Sequence, residues 1–248
     1  MPAWRVQRGL VLVRVMKRTL PSAFAAAALL VSSSAWAQNF GEKGQIAISA
    51  ERLFGFTYDS ARVTVNGQDS KGSVTHFSLL SSPVSVDIGG GNGGVWAGYG
   101  SPRVAGDYFV IDRLSVGAAL GYAHWSLTRQ PAGPGVPETT VTGDSFTFAP
   151  RAGYLLTFND KIGFWPRGGF TYRTFSADNQ SGHDFALTLE APFAFTLLPH
   201  VVFWAGPTLD LGLTGSQKVE APNGTTTSFD FNATSFGIQT GLVVYFGT

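Results

Sequence analysis

Apolar and polar residues alternate along much of the chain. Between Ser145 and Phe158 the even positions carry mostly aromatic and aliphatic side chains, whereas most odd positions are small or polar. The same period of two recurs over 184–198, 201–214 and 235–246. Successive side chains point to opposite sides of a β-strand, so this period predicts strands. Several of them run for 13 to 15 residues, which exceeds the roughly 5–6 residues usual in soluble proteins.

The connections between these strands sort into short and long ones. Tight turns are predicted at Asp112-Arg113, Asn159-Asp160-Lys161 and Pro199-His200, and longer polar connections near 129–144, 178–183 and 215–229. Short turns at one end and long loops at the other are the layout of an outer-membrane barrel. The predicted strands cover residues 44–58, 103–111, 115–128, 145–158, 162–176, 184–198, 201–214 and about 230–246.

The fold class predicted from this layout is all-β, an antiparallel up-and-down transmembrane β-barrel of eight strands. The region 59–102 is the least regular, because its strand-like stretches flank a run of glycines at 89–94. It adds either no strand to the barrel or a pair. Eight strands with an elaborated first outer loop over 59–102 is the favoured prediction, and ten strands is the alternative.

The composition of the polar face decides which side meets lipid. A secreted barrel that carries a ligand would show the same alternation with its oily face inward and a highly charged exterior. The polar face here consists mainly of Gly, Ala, Ser and Thr, with an isolated charge in most strands. Such residues suit the interior of an eight-stranded barrel, which side chains fill. The aromatic face is therefore predicted to contact hydrocarbon.

The isolated charges on the polar face predict a network inside the lumen. A basic residue facing lipid costs about 2–4 kcal/mol at the bilayer midplane, whereas opposite charges inside can pair. The predicted lumenal charges are Glu51, Asp107, Arg151, Arg167, Arg173, Glu190 and Asp210. Four acids and three arginines predict a salt-bridged, largely closed lumen.

Five residues disturb the alternation. The parity of Arg52 places it toward lipid, so a bulge or a misplaced strand end is expected there. Prolines lack the N–H group that a closed ladder needs, and are also expected to mark local bulges. Those within the predicted strands are Pro150, Pro166, Pro192 and Pro207.

The composition and the N-terminal segment also argue against an ordinary soluble protein and for an exported one. Only 13% of the 248 residues are charged, against about a quarter in soluble proteins. The absence of Cys excludes disulfide scaffolds and thiolate metal sites. Residues 1–37 combine five basic residues, a short apolar stretch and a small-residue end. They predict a signal peptide cleaved before Gln38, with Met1 or Met16 as the start, and a barrel domain over 38–248.

Charge and histidine spacing exclude other partners. The predicted signal peptide holds five of the 17 Lys and Arg and none of the 16 Asp and Glu, so the remainder carries a net charge of −4. A nucleic acid partner, which would require a basic surface, is therefore not expected. No cofactor and no metal site are predicted, because the four histidines lack the spacing of metal ligands. They are His76, His124, His183 and His200.

The end of the chain resembles the β-signal of outer-membrane proteins. A polar residue is followed by Gly two positions later and then by hydrophobic residues with a final aromatic, at Gln239, Gly241, Val244 and Phe246. Gly247 and Thr248 follow that aromatic, which departs from the family pattern. Over 38–248 the chain resembles small OmpA/OmpX-type barrels. The resemblance implies insertion by the barrel-assembly machinery, a monomer, and contact with lipid and lipopolysaccharide in the outer membrane of a Gram-negative-type bacterium.

One motif resembles an enzyme. His124 and Ser126, with Glu138 fourteen residues after the His, are similar in order to the triad of the outer-membrane lipid A deacylase. That resemblance implies Ser126 as nucleophile, His124 as base and Glu138 as the residue that orients the base. Leu127 and Thr128 depart from the family pattern. The favoured prediction is therefore a barrel without catalytic residues, with a structural role or with loops that bind partners. A small pore, the deacylase and a secreted carrier are the alternatives.

Overall fold

The structure is a computed structural model that describes residues 39–65, 68–79, 85–86, 95–96, 99–129, 139–221 and 223–247. The predicted signal peptide, the glycine run at 89–94 and Glu138 lie outside these residues. Residues 38–127 and 140–248 form one compact unit, to which the account below refers. The second unit comprises 1–37 and 128–139, of which the structure describes only strand ends.

The described residues form strands connected by turns. Their bounds are β1 Ile46–Val65, β2 Gln68–Leu79, β3 Ser85–Val86, β4 Val95–Trp96, β5 Arg103–Ile111, β6 Leu114–Arg129, β7 Thr139–Tyr154, β8 Leu156–Asn159, β9 Ile162–Phe164, β10 Arg167–Ala177, β11 Gln180–Glu190, β12 Phe193–Leu198, β13 Val201–Glu220 and β14 Thr226–Phe246. No helix in this part of the chain is long and apolar enough to cross a membrane.

Eight of these strands close into an antiparallel barrel, as predicted. Around the barrel the order is β1, β5, β6, β7, β10, β11, β13 and β14, and β14 pairs again with β1. Strands β8, β9 and β12 continue β7, β10 and β11 at the turn end. β2 pairs with β1 beside the barrel, and β3 pairs with β4. The three predicted tight turns join strands at residues 112–113, 160–161 and 199–200.

Side chains alternate between the two faces of the wall in the predicted sense. Leu189 is 44% exposed while its neighbour Glu190 is 3% exposed. The outward residues are aromatic and aliphatic over the part of each long strand nearer the turn end. A secreted carrier with an oily interior would require the opposite orientation, so the described barrel excludes that alternative.

The strands are longer at the loop end than predicted. Residues 59–65, expected in a loop, continue β1, and residues 68–79 form β2 against it. The predicted connections at 178–183 and 215–229 contract in the same way, because β11 begins at Gln180 and β13 ends at Glu220. Outward residues in these extensions are polar while many inward ones are apolar, so the hydrophobic signal for strands weakens there.

The outward residues of the wall change from polar to apolar at one height along the barrel. On β14 the outward residues Asp230, Asn232 and Thr234 are polar, and those from Phe236 to Phe246 are apolar apart from Thr240. That apolar stretch has the length a tilted strand needs to cross a bilayer, roughly 9–11 residues. Equivalent changes occur between Ser60 and Tyr58, Asp144 and Phe146, and His183 and Phe185. The barrel therefore extends beyond its apolar belt on the loop side.

Three of the four prolines lie at nearly the same level on neighbouring strands. Each of their carbonyls accepts a hydrogen bond from the neighbouring strand: Tyr154 N donates to Pro166 O (3.0 Å), Trp165 N to Pro192 O (2.8 Å) and Ala191 N to Pro207 O (2.9 Å). Pro166 and Pro192 lie in the breaks before β10 and after β11, whereas Pro150 and Pro207 lie within β7 and β13. The bulge expected at Pro207 is absent, because Pro207 pairs with Ile238 in unbroken register, whereas Pro166 and Pro192 fall in breaks between strands.

Candidate functional site: a charged layer between two apolar seals

The middle of the lumen holds a layer of ion pairs. Glu51 accepts hydrogen bonds from Arg151 Nη1 (2.7 Å), Arg167 Nη1 (2.8 Å) and Arg103 Nε (2.9 Å). Glu190 Oε2 lies 2.9 Å from Arg167 Nη2. These side chains come from strands all around the barrel and are at most 8% exposed. The layer therefore connects opposite walls across the lumen.

All seven charges predicted to face the lumen are buried in the structure, in two groups. Asp107 joins the central layer through Arg151, whose Nε donates to Asp107 Oδ1 (3.0 Å). Asp210 joins it through Arg52. Arg173 lies apart from this layer, paired with Asp184 on the adjacent strand. The ring of Tyr99 lies against the Arg173 guanidinium, 4.7 Å from ring centre to Cζ.

Arg52, whose parity points to lipid, lies inside the lumen. β1 contains two extra residues against β14 here, because Glu51 pairs with Gly241 and Gly55 with Gln239. Arg52 adopts a positive φ of 55° within this bulge and is 1% exposed. Its Nη1 and Nη2 donate to Asp210 at 2.9 and 3.1 Å. Of the two predicted explanations, a bulge or a misplaced strand end, the structure shows the bulge, which turns the charge inward and leaves the strand parity unchanged beyond it.

Besides Arg52, three lumenal charges were absent from the prediction. Arg103 shares the inward parity of Asp107 four residues later, so strand parity could have identified it. Asp184 lies on the polar face of the predicted strand 184–198, at its end. Asp59 lay in the region assigned to a loop, and no signal identified it. Its carboxylate is 1% exposed and faces His76 of β2, with 3.4 Å between Oδ2 and Nδ1.

An apolar seal closes the turn end of the lumen. Phe40 precedes β1 and packs against Phe109, Trp165 and Tyr245, with ring centres 5.1 to 5.3 Å apart. Gln45 holds this N-terminal segment in place, because its Oε1 accepts from Gly41 N (2.8 Å) and its Nε2 donates to Asn39 O (2.9 Å). The buried residues of this turn-side seal are Phe40, Ala47, Phe109, Leu155, Trp165, Ala194, Val202, Trp204, Val243 and Tyr245.

A second apolar seal fills the loop end. Its buried residues are Ala61, Val63, Tyr99, Phe175, Ala186, Phe231 and Ala233. Val74 of β2 packs against this loop-side seal. A cavity beside Arg103, Arg151 and Arg167 has a volume of about 10 Å³, which is about the space of a single water molecule. Side chains therefore fill the lumen at three successive levels.

Two larger depressions lie outside this filled lumen. One of about 320 Å³ opens at the turn end, next to Phe40 and Arg113. Another of about 670 Å³ is an apolar groove on the outer wall along the prolines, between Tyr154 and Leu209. The described residues contain no group of three or more His, Asp or Glu placed to hold a metal ion.

The β-signal residues divide between the two faces of β14. Gln239 and Gly241 are buried on the inward side, and Gln239 Nε2 donates to Thr57 Oγ1 (2.8 Å). Val244 and Phe246 lie on the outward side and are partly exposed. Phe246 pairs with Ile46 and so joins the last strand to the start of the first.

The enzyme-like motif lies on the outer wall, at the loop-side edge of the apolar belt. His124 and Ser126 are exposed there, and His124 Nδ1 lies 2.9 Å from Asp144 Oδ1. The hydroxyl of Tyr122 donates to the same oxygen (2.6 Å). This hydrogen bond and that of His124 hold the pKa of Asp144 below its usual value. His124 thus engages a carboxylate that the motif did not include.

Comparison with solved structures identifies the fold. The outer membrane protein OprG from Pseudomonas aeruginosa superimposes with a TM-score of 0.52 and 11% identity, over 85% of this chain and 100% of that one. This protein has the fold of an outer-membrane barrel. AlkL gives a TM-score of 0.48 at 10% identity (88% and 98% covered) and the protease OmpT from Escherichia coli 0.42 at 8% (84% and 98% covered). No protein family model matches the chain, and no curated protein matches it in sequence.

Proposed function

We propose that the protein is an integral outer-membrane barrel with a closed lumen, whose loop-side rim stiffens the envelope or binds partners. The observation that carries this proposal is the filling of the lumen by two apolar seals and the charged layer between them. An open pore needs a continuous polar path, whereas the two depressions of about 320 and 670 Å³ lie outside the filled lumen.

The loop-side rim, by which we mean the part of the wall beyond the apolar belt on the loop side, is the surface available for interaction. Above the apolar belt the outward residues are polar and carry both signs of charge, as at Arg62, Lys218 and Asp230. The polar head groups of lipopolysaccharide are the groups that would surround this level in an outer leaflet. Export by a signal peptide over 1–37, recognition of the β-signal by the assembly machinery, and a monomeric state belong to the same proposal.

Conductance of the full chain in planar bilayers tests the closed lumen. We expect no stepwise current from protein whose folded state is verified by heat-modifiable migration on a gel, alongside a general porin as positive control. Reproducible current steps from the folded protein would support the small-pore alternative instead.

A hydrolytic role is the second candidate, favoured by the pairing of His124 with Asp144 beside Ser126. Its test is mass spectrometry of lipid A incubated with the folded protein and with Ser126→Ala. We expect identical spectra; loss of an acyl chain with the original protein alone would establish the enzyme.

A further inference from the structure

The lumen contains one carboxylate that no arginine neutralises. Six carboxylates point into the described part of the lumen: Glu51, Asp59, Asp107, Asp184, Glu190 and Asp210. Five of them lie within 2.9 Å of a guanidinium nitrogen, and Asp59 is the exception in these ranges. The buried arginines of the same region are at positions 52, 103, 151, 167 and 173. Five arginines against six carboxylates leave a net charge of −1 when Asp59 is ionised.

The ring of His76 faces this carboxylate from the next strand. The register of β1 and β2 sets Thr57 opposite His76 and Asp59 opposite Val74, so the two side chains meet diagonally on the inward face. His76 Nδ1 lies 3.4 Å from Asp59 Oδ2. Both ring nitrogens and both carboxylate oxygens lack a hydrogen bond within the described residues. An imidazole and a carboxylate are thus held side by side without being used by a neighbour.

The separation of these two atoms fits a shared metal ion. Zn²⁺ lies about 2.0–2.1 Å from an imidazole nitrogen and about 2.0–2.2 Å from a carboxylate oxygen, with tetrahedral angles between its ligands. Two such ligands are therefore about 3.3–3.5 Å apart, whereas N–H···O hydrogen bonds are mostly about 2.7–3.2 Å long. The 3.4 Å between Nδ1 and Oδ2 matches two ligands of one ion and exceeds the usual length of a hydrogen bond.

A second pair of the same residue types, on the outer wall, shows the difference. His124 Nδ1 lies 2.9 Å from Asp144 Oδ1, and the hydroxyl of Tyr122 donates to the same oxygen. That pair is hydrogen-bonded and exposed. The side chains of His76 and Asp59 are instead 17% and 1% exposed. The exposed part of His76 gives solvent and ions a path to the pair, and the buried carboxylate supplies the charge that attracts a cation.

The surroundings of Asp59 leave its charge available to such an ion. Arg52 and Arg173, the basic groups that act on this carboxylate, are paired with two other carboxylates. Ser235 of β14 lies opposite Asp59, and its hydroxyl faces the carboxylate, so it can hold a metal-bound water molecule. A buried ionised carboxylate without a partner is costly. A divalent cation bound at this position removes that cost.

We propose that Asp59 and His76 bind a divalent transition-metal ion, of which zinc fits their nitrogen and oxygen ligands. Water completes the coordination, because these two side chains are the protein ligands that the described residues supply. The next inward residue of β2, Val74, packs against the loop-side seal, so the ion lies at the border of that seal. The spacing of histidines along the sequence does not indicate this site, because its two ligands come from neighbouring strands.

Zinc binding to the folded full chain tests the site. Metal-free protein in detergent micelles is dialysed at neutral pH against increasing zinc, and bound zinc is measured by atomic emission. We expect one ion per chain that depends on both side chains. His76→Gln and Asp59→Asn should each weaken its binding by at least about tenfold, because loss even of a residue that only orients a ligand costs about 10–100-fold in affinity. His124→Gln is the matched control and should leave this affinity unchanged, because it removes the exposed pair.

Two results would overturn the proposal. One is original protein that binds no zinc in a one-to-one ratio, and the other is unchanged affinity in His76→Gln. If the variants fail to fold, nitrogen NMR of the original protein decides the question. Zinc should then shift the ring nitrogens of His76, whereas shifts confined to the other histidines would contradict the site. None of these readouts depends on conductance or on the proposed role of the rim.

Discussion

At the scale of single residues, Glu51 carries the most contacts of the charged layer. Three guanidinium groups donate to its two oxygens, and it is completely buried. Glu51→Gln removes the negative charge and leaves those arginines with Glu190 and Asp107. Removing one partner of a buried ion pair costs about 3–5 kcal/mol. We expect the free energy of unfolding to fall by that amount, measured by urea titration in lipid vesicles.

Glu220→Gln provides the control for this substitution. It makes the same chemical change at an exposed position near the loop end of β13, and surface substitutions usually change stability by no more than about 0.5 kcal/mol. Equal stabilities for the two variants would mean that the charged layer contributes nothing measurable to folding.

Residue positions could be predicted from parity only where the strand is regular. Glu51 and Arg167 follow the alternation of their neighbours, so the sequence indicated that they face the lumen. Arg52 does not, because its direction depends on a two-residue bulge set by pairing with β14. Asp59 was missed for a related reason: it lies where outward residues become polar and the alternation no longer distinguishes the two faces. In both cases the direction of the side chain depends on how β1 pairs with β14, which is far away in the sequence.

At the scale of elements, the segment before β1 closes the turn end of the lumen. Phe40 is 9% exposed and touches three aromatic rings, which belong to β5, the break before β10, and β14. Truncation of a buried Phe to Ala costs about 3–5 kcal/mol. We expect Phe40→Ala to lower the free energy of unfolding by this amount without creating conductance, because Trp165 and Trp204 still fill the lumen.

Phe40→Leu separates packing from other effects at this position. It retains much of the buried apolar volume and should cost clearly less than Phe40→Ala in the same urea titration. Current steps from Phe40→Ala would show that this one side chain, rather than the whole turn-side seal, closes the barrel.

Among the elements, the strands within the apolar belt were predictable and their extensions were not. A strand in hydrocarbon must present apolar residues outward, so its alternation is strong, and eight such stretches could be counted. Above the belt the outward residues meet water and are polar, while many inward ones are apolar, so the pattern reverses although the backbone pairing continues. For this reason β2 and the outer part of β1 were assigned to a loop.

At the scale of the whole molecule, the change in outward residues predicts where the membrane ends. Spin labels along β14 test this boundary in vesicles, through their accessibility to oxygen, which concentrates in hydrocarbon, and to a water-soluble nickel complex. We expect Ile238 labels to meet oxygen and Asn232 labels to meet nickel, with the change between Thr234 and Phe236. Since these outward residues touch no lumenal charge, labelling leaves the interior intact. Uniform nickel accessibility along β14 would mean that the apolar face does not contact lipid, and the outer-membrane assignment would then be wrong.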